Sequence, residues 1–290
     1  MSEEHDLKIS FISKKEHECP VCGATFRKEE LRAGRGRLIA GALTEELHRV
    51  FDPSAKYGEI YPLAYLMLVC PECWFASSET DFPLFPQGRR NLAFSDAARR
   101  KADALLVFPG TDFGNPRGLM EGAASLYLAL RCYDFYGKEV SPTIKRGITA
   151  LRCAWLLDDL HRKLPSENYD WLARLFRKKA QYFYSEAITR EQVAAETMSA
   201  LKNYGPDIDK NYGYKGMLYI SAYLSYKYGP PPTDEAARKE TVETAGRTIA
   251  KIFGMGRSSK DLPEAFLDLA RGVYDSIKQE LAELKAREGA

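Results

Sequence analysis

The sequence lacks the features that would place it in several large classes of protein. Across its 290 residues, 42 basic and 40 acidic side chains leave a formal net charge of only +2. A dedicated nucleic-acid-binding protein usually carries a clear basic excess, which is missing here. The longest apolar run, residues 63–70, is far shorter than the ~20 residues that a membrane-spanning helix needs. These shortages favour a soluble globular protein, as do the 45% hydrophobic and 28% charged residues.

The first residues do not predict a secretion signal. The first six residues, Met-Ser-Glu-Glu-His-Asp, are polar and acidic, whereas a signal peptide begins with basic residues and continues with an apolar stretch. We therefore expect a cytoplasmic protein without a membrane partner. The six cysteines are too few for a small disulfide-stapled scaffold. In the cytoplasm, cysteines are normally reduced thiols or metal ligands.

Motifs of catalysis are scarce as well. The chain has four histidines, and we predict His48 and His161 to be exposed helix positions without a Ser or Cys partner. There is no P-loop, nucleophile elbow or zinc-protease motif. Asp207 begins a segment that resembles a calcium loop, but Tyr212 and Leu218 stand where calcium needs Gly and Glu. The sequence therefore predicts a non-enzymatic protein, although it does not decide the point.

What the sequence does contain is two matching cysteine pairs. Cys19-Pro-Val-Cys22 is followed by Gly23, and Cys70-Pro-Glu-Cys73 is followed by Trp74. Two Cys-x-x-Cys units supply four thiolates, which close a tetrahedral zinc shell. The long separation of the pairs, residues 23–69, adds only about 1 kcal/mol of loop-closure cost relative to a compact ribbon. We therefore predict a structural Zn²⁺ bound by Cys19, Cys22, Cys70 and Cys73.

Three details of the cysteines remain open at this point. Iron uses the same four-thiolate ligand set, so zinc is not the only metal that fits. A thiol redox function is a further alternative, although Gly23 fits a turn better than the helix start of a redox motif. A left-handed Trp74 would cost about 1–2 kcal/mol, so we expect the second turn to differ in detail from the first.

Cys132 and Cys153 stand singly on apolar helix faces and are predicted to be buried.

The chain changes character near residue 115, where Pro109, Gly110, Gly114 and Pro116 mark a turn-rich junction. We predict two domains in a mainly α fold: a zinc-ribbon-like module of small α+β type over 1–113, and a tetratricopeptide-like array of helical hairpins over 114–290. In the first, the patterns predict strands at 7–13 and 63–69, and helices at 43–50 and 96–106.

Helical periodicity dominates the second domain. About seven helices are predicted, at 119–136, 142–161, 171–188, 191–204, 214–228, 234–253 and from 261 onwards. Aromatic and alanine residues recur at facing positions, which favours helical hairpins over the alternative, a plain helical bundle. The intervals between hairpins are too irregular for a clean repeat.

Two groups of residues are candidate binding surfaces. Tyrosine brings large area and a polar tip to recognition sites, so we predict a protein or peptide partner for a groove formed by Tyr212, Tyr214, Tyr219, Tyr223 and Tyr226; the alternative is that these rings fill gaps between helices. A basic segment between the cysteine pairs favours nucleic acid as an alternative partner through Arg27, Lys28, Arg32, Arg35 and Arg37.

The cysteine pattern, the Tyr61-Pro62-x-x-Tyr65 segment and Ala154-Trp155-Leu156 together resemble the bacterial domain-of-unknown-function family 2225. The resemblance covers most of the chain, with its specific motifs in the first 80 or so residues. Trp74-Phe75-Ala76 departs from the Gly-Tyr-Ala that members often have there. The resemblance implies a metal knuckle and helical hairpins, and it implies no activity. Our expectation is a zinc-containing interaction or scaffold protein.

Overall fold

A computed structural model describes residues 8–32, 34–199, 201, 203–254 and 262–288. Within these ranges the chain begins with three two-stranded antiparallel sheets and continues with α-helices. The strands pair as β1 (Ser10–Glu18) with β2 (Thr25–Leu31), β3 (Ile39–Leu43) with β4 (Arg49–Asp52), and β5 (Met67–Val69) with β6 (Ala76–Ser78).

The helices carry most of the described chain, which confirms the mainly α fold. They are α1 (Arg90–Ser95), α2 (Ala97–Val107), α3 (Leu119–Cys132), α4 (Pro142–Lys163), α5 (Tyr169–Gln192), α6 (Gly213–Tyr228), α7 (Glu235–Gly254) and α8 (Glu264–Glu288). From α3 to α8, each helix packs on the next one in the chain. Among the described residues, none of the helices has the length and apolar character needed to cross a bilayer.

The predicted helix at 43–50 is wrong, because these residues form the β3–β4 hairpin. Thr44 donates its backbone N–H to the carbonyl of His48 across the turn. Leu47 takes a left-handed φ of 57° and is fully buried. Side chains of α4 and α5 bind Glu46 in the same turn. These tertiary contacts override the helical spacing of the apolar residues.

The predicted helix at 191–204 is also wrong. Helix α5 continues to Gln192, and Ala194 then takes a left-handed φ of 55°. The buried Glu196 turns back to α4, where it accepts hydrogen bonds from the backbone N–H and the hydroxyl of Thr143. Glu196 thus binds the N-terminus of a neighbouring helix, which requires irregular backbone. Ala200 and Lys202 lie outside the described residues.

The two predicted strands are shifted rather than absent. Leu7 lies outside the described residues, and β1 begins at Ser10. In the 63–69 segment, Pro62–Tyr65 forms a 3-10 turn and only Met67–Val69 is a strand. The last predicted helix begins at Glu264, after two described residues that are not helical, and Asp261 lies outside the described part of the chain.

Helix α3 lies against the β5–β6 hairpin and the 3-10 turn that precedes it. A Cβ on Gly122 would come within 2.5 Å of the Cβ of Ala64, so glycine is what permits this close approach. The buried thiol of Cys132, at the end of α3, accepts the backbone N–H of Ala76 in β6. Hairpin β5–β6 is thereby fixed on the helical part of the chain. The division into 1–113 and 114–290 stays a prediction.

Candidate metal centre

Four cysteine sulfurs converge at the tips of two β-hairpins. The turn between β1 and β2 carries Cys19 and Cys22, and the turn between β5 and β6 carries Cys70 and Cys73. The Sγ of Cys19 lies 3.6 Å from that of Cys73, and the Sγ of Cys22 lies 3.5 Å from that of Cys70. All four ligand atoms are within 4.8 Å of one another. Each thiol therefore faces a cysteine from the other turn.

These spacings fit a single tetrahedral metal ion. With metal–sulfur bonds of about 2.3 Å, the sulfurs of a tetrahedral site lie about 3.8 Å apart. Cys19, Cys70 and Cys73 are buried and Cys22 is half-buried, so the cluster is largely closed to solvent. Four thiolates leave no open coordination position. The arrangement can hold a metal ion structurally, and it is not that of a catalytic metal.

The short distances between the sulfurs change their acidity. Hydrogen bonds from the thiols of Cys70 and Cys73 lower the pKa of Cys19 to about 4, although burial opposes this shift. The same contact with Cys19 raises the pKa of Cys73. The cluster thus holds one negatively charged sulfur close to three others. A cation bound between the four sulfurs would reduce the electrostatic repulsion among them.

The two cysteine turns have the same backbone hydrogen bonds. In the first knuckle (residues 19–24), Gly23 donates its N–H to the carbonyl of Cys19, and Cys19 donates to Ala24, both at 2.9 Å. In the second knuckle (residues 70–75), Trp74 and Cys70 make the equivalent bonds at 2.9 Å. The expectation that the second turn differs in detail is wrong: Gly23 has a φ of 81° and Trp74 a φ of 55°. Trp74 adopts the left-handed conformation despite its side chain.

Packing and a buried arginine hold Trp74 in that conformation. Its ring is nearly buried and meets Phe113 edge to face at 5.2 Å. Arg100, on α2, is completely buried. Its guanidinium donates to the carbonyl of Cys73 at 2.7 Å and to that of Trp74 at 3.2 Å. The guanidinium also binds the carbonyl of Ala93 and the carboxylate of Asp96. Arg100 thus fixes the backbone of the second knuckle from a helix outside it.

An arginine also binds the first knuckle, but less completely. Arg90, on α1, is exposed and donates its Nε–H to the carbonyl of Val21 at 3.0 Å. Sequence reasoning missed both Arg90 and Arg100, because they lie outside the cysteine motifs and follow no diagnostic spacing. The sequence shows only that arginines follow the second knuckle, in the segments that form α1 and α2.

The two remaining cysteines are buried, as predicted. Burial raises the pKa of the Cys132 thiol to about 11 and raises that of Cys153 as well. The Cys153 thiol points to the carbonyl of Ala123 within the helical core. Both behave as small apolar side chains that stay protonated at neutral pH.

The basic segment is not a continuous cationic face in this structure. Arg27 pairs with Glu16 at 2.6 Å, and Lys28 pairs with Glu79 at 3.1 Å. Arg32 lies over the ring of Phe11. The buried Arg37 stacks on Tyr57 and donates to backbone carbonyls, while Arg35 sits in a left-handed turn with φ of 54°. Nucleic-acid binding by this segment stays a prediction.

Four of the five candidate tyrosines lie in the helical core. Tyr212 stacks on Phe266, and Tyr226 is covered by Arg238. Tyr219 and Tyr223 donate their hydroxyls to the backbone and the side chain of Glu45, at 2.9 Å each. Tyr214 alone of the five is exposed, with 41% of its surface accessible. Their role in partner binding stays a prediction, and Tyr214 is the one available to a partner here.

Known proteins match this chain over nearly its whole length. Residues 12–277 match the profile of a family described as an uncharacterized protein conserved in bacteria, DUF2225. A protein of Borreliella burgdorferi, described as an uncharacterized protein, is 39% identical over 278 residues. The alignment covers 96% of this chain and 99% of that protein. No solved structure matches the chain.

Proposed function

The chain belongs to the bacterial DUF2225 family, as its cysteine and tyrosine patterns predicted, and we propose that it is a non-enzymatic binding protein of the cytoplasm. In this proposal Zn²⁺ stabilises the fold of a zinc-ribbon-like N-terminal module. The tetratricopeptide-like helices then present a groove to an acidic segment of a partner protein. The observation that carries the proposal is the closed cluster of four cysteine sulfurs.

Zinc suits this cluster because four thiolates at tetrahedral spacing form the ligand set of structural zinc sites. In small fingers, structural zinc contributes on the order of 10–16 kcal/mol of folding free energy. Iron in the same site would give visible absorption, which zinc lacks, so a spectrum of the purified protein separates the two metals. Rapid alkylation of all four thiols in protein as purified would instead favour the redox alternative.

A groove between α5, α6 and α7 is the candidate partner site. It is a cavity of about 840 Å³, and its apolar floor is formed by Ile188, Leu218, Ala222, Ala245 and Ile252. Tyr214 lines it with its exposed ring. The groove lies between three consecutive helices, where a helical-hairpin array is expected to bind its ligand.

The charge of the groove selects its occupant. The residues that line the groove include three lysines and only one carboxylate, that of Glu240. Lys178 and Lys251 are exposed and form no ion pair with any residue in the described part of the chain. An apolar floor with lysines at its margin is complementary to an amphipathic peptide that carries acidic residues. We therefore assign the groove to such a segment of a partner protein.

Selection from a random peptide library on the intact, metal-loaded protein tests this assignment. The selected peptides should alternate apolar and acidic residues and bind with micromolar or better affinity. Replacing Lys178 and Lys251 by Glu should weaken binding at least tenfold, because each change replaces attraction by repulsion. Lys179→Glu is the matched control, since Lys179 is exposed on the same helix but does not line the groove. Selected peptides without acidic residues, or equal losses in the control, would refute the assignment.

A further inference from the structure

A further cavity lies between strand β5, the segment that follows β6, and helix α4. Its volume is about 410 Å³, which is within the range of pockets that bind small molecules. Helix α4 contributes Lys145, Thr149 and Arg152 to the lining, at spacings that place all three on one face of the helix. The metal centre and the peptide groove use none of these residues.

The guanidinium of Arg152 is only partly bound by the protein. Its Nε–H donates to the carbonyl of Pro206 at 2.6 Å. Its two terminal nitrogens have no hydrogen-bond or ion-pair partner within the ranges that the structure describes, and they are not enclosed. The side chain is half-buried and lines the cavity. These N–H groups are therefore available to a ligand that accepts hydrogen bonds.

The neighbouring carboxylate, Asp207, binds other groups. One of its oxygens accepts the backbone N–H of Arg49 at 2.7 Å, and the other accepts that of Ile208. Nδ1 of His48 lies 2.5 Å from Asp207, so His48 is half-buried before β4 and the prediction of an exposed helix position is wrong. Burial lowers the pKa of Arg152, although the charge of Asp207 opposes this shift. The protein therefore does not fully compensate the positive charge of Arg152.

The other charged groups of the lining are paired or lie at the surface. Lys145 contacts both carboxylate oxygens of Asp81, at 2.7 and 2.8 Å, and Asp81 also accepts the hydroxyl of Tyr133. Glu139 is exposed, and its carboxylate lies against Gly137, which does not line the cavity. Because water screens an exposed carboxylate more than a half-buried guanidinium, Arg152 gives the cavity a preference for an anion.

A hydroxyl and apolar side chains complete the lining. Thr149 is buried, and its hydroxyl is neither enclosed nor hydrogen-bonded to any residue in the described part of the chain. Met67, Val140 and Ile148 are buried apolar side chains of the same lining. A ligand that fills this cavity therefore needs an anionic group next to an apolar body.

We propose that the cavity binds a small organic monocarboxylate with an apolar body. The carboxylate accepts hydrogen bonds from both terminal nitrogens of Arg152, and the hydroxyl of Thr149 donates to one of the same oxygens. The hydrocarbon part lies along Met67 and Ile148. A carboxylate fits better than a phosphate, because Arg152 supplies a single guanidinium beside apolar side chains and a phosphate dianion would have oxygens left without a donor.

Calorimetric titration of the full-length protein with hexanoate, hexanamide and acetate tests the proposal. Hexanoate should bind with submillimolar affinity. Hexanamide keeps the shape without the charge, and acetate lacks most of the hydrocarbon chain, so each should bind at least tenfold more weakly. Hexanamide binding as tightly as hexanoate, tighter binding of inorganic phosphate, or no binding of hexanoate would overturn the proposal.

Variants at Arg152 and Thr149 locate the binding. Arg152→Gln removes the charge and should weaken hexanoate binding at least tenfold. Thr149→Val leaves the contact of Arg152 with Pro206 intact, so it should weaken binding about two- to fivefold without lowering the free energy of unfolding.

Arg174→Gln is the matched control, since Arg174 is an exposed arginine outside the cavity, and it should leave affinity unchanged. Unchanged affinity in Arg152→Gln, or an equal loss in the control, would refute the assigned role of Arg152. Unchanged affinity in Thr149→Val would refute that of the Thr149 hydroxyl.

Discussion

The two cysteine knuckles reach the same geometry by different means. Both close with the same pair of backbone hydrogen bonds and a left-handed fifth residue. In the first, that residue is Gly23, which takes the conformation without steric cost. In the second it is Trp74, whose backbone strain of about 1–2 kcal/mol must be offset by surrounding contacts. Those contacts are the packing on Phe113 and the hydrogen bonds of Arg100.

The difference shows that one ligand geometry is encoded locally in one turn and by tertiary structure in the other. In the first knuckle, the left-handed residue needs no such support, because it is glycine. The second depends on α1, α2 and α3, so it links metal binding to the folding of the helical part. Changes in either knuckle therefore separate local from tertiary stabilisation.

Loss of a ligand should have the largest effect and should be equal in the two knuckles. Cys22→Ser and Cys70→Ser should each abolish tight metal binding and reduce the free energy of unfolding by on the order of 5 kcal/mol or more. Metal analysis and urea unfolding measure both quantities. Cys153→Ala, a buried thiol outside the cluster, should keep its metal. Full metal content in either ligand variant would contradict a four-cysteine site.

Replacing Arg100 should lower the free energy of unfolding much more than replacing Arg90. Arg100→Met leaves the buried carbonyls of Cys73, Trp74 and Ala93 without this donor, so we expect a loss of about 3–5 kcal/mol in unfolding free energy. Arg90→Met removes an exposed contact with Val21 and should cost less than about 1 kcal/mol. Urea unfolding and metal release to a chelator would show the contrast. Equal losses would mean that the second knuckle does not depend on tertiary support.

The residue after each cysteine pair should respond in a knuckle-specific way. Gly23→Ala forces a side chain into a φ of 81° and should cost about 1–2 kcal/mol, although the new Cβ would make only an ordinary contact with Arg90. Trp74→Gly relieves backbone strain but loses packing worth about 3–5 kcal/mol, for a net loss of about 2 kcal/mol. A stabilised Trp74→Gly protein would show that the packing on Phe113 contributes little.

The ion pairs between the two hairpins should contribute least and only above acidic pH. Glu79, just after β6, accepts hydrogen bonds from Lys15 and Lys28 in the other hairpin, and the Lys15 contact is the main reason that its pKa is lowered to about 2. A lowered carboxyl pKa stabilises the fold above the ordinary Glu pKa and loses this contribution as pH falls through about 2. Glu79→Gln should therefore cost less than about 1 kcal/mol at pH 7, with the difference vanishing near pH 2. Unfolding titrations of both proteins across this range provide the measurement; a difference that persists at pH 2 would argue against the ion pairs.

The features predicted from sequence are those that depend on local spacing. The cysteine pairs and most helices of the C-terminal half follow from short-range patterns, and the structure confirms these helices and brings the four sulfurs together. Segments 43–50 and 191–204 were predicted as helices, but Glu46 and Glu196 bind distant residues instead. Likewise, the His48–Asp207 contact joins residues with no local relation. Such contacts depend on which elements become neighbours, and periodicity does not encode that.

Metal analysis of the purified wild-type protein, combined with X-ray absorption at the metal edge, tests the central claim most directly. We predict one zinc ion per chain with four sulfur neighbours at about 2.3 Å. Removal of the metal by a chelator should sharply lower the free energy of unfolding. A metal-free protein, equally stable with and without chelator, would contradict the account.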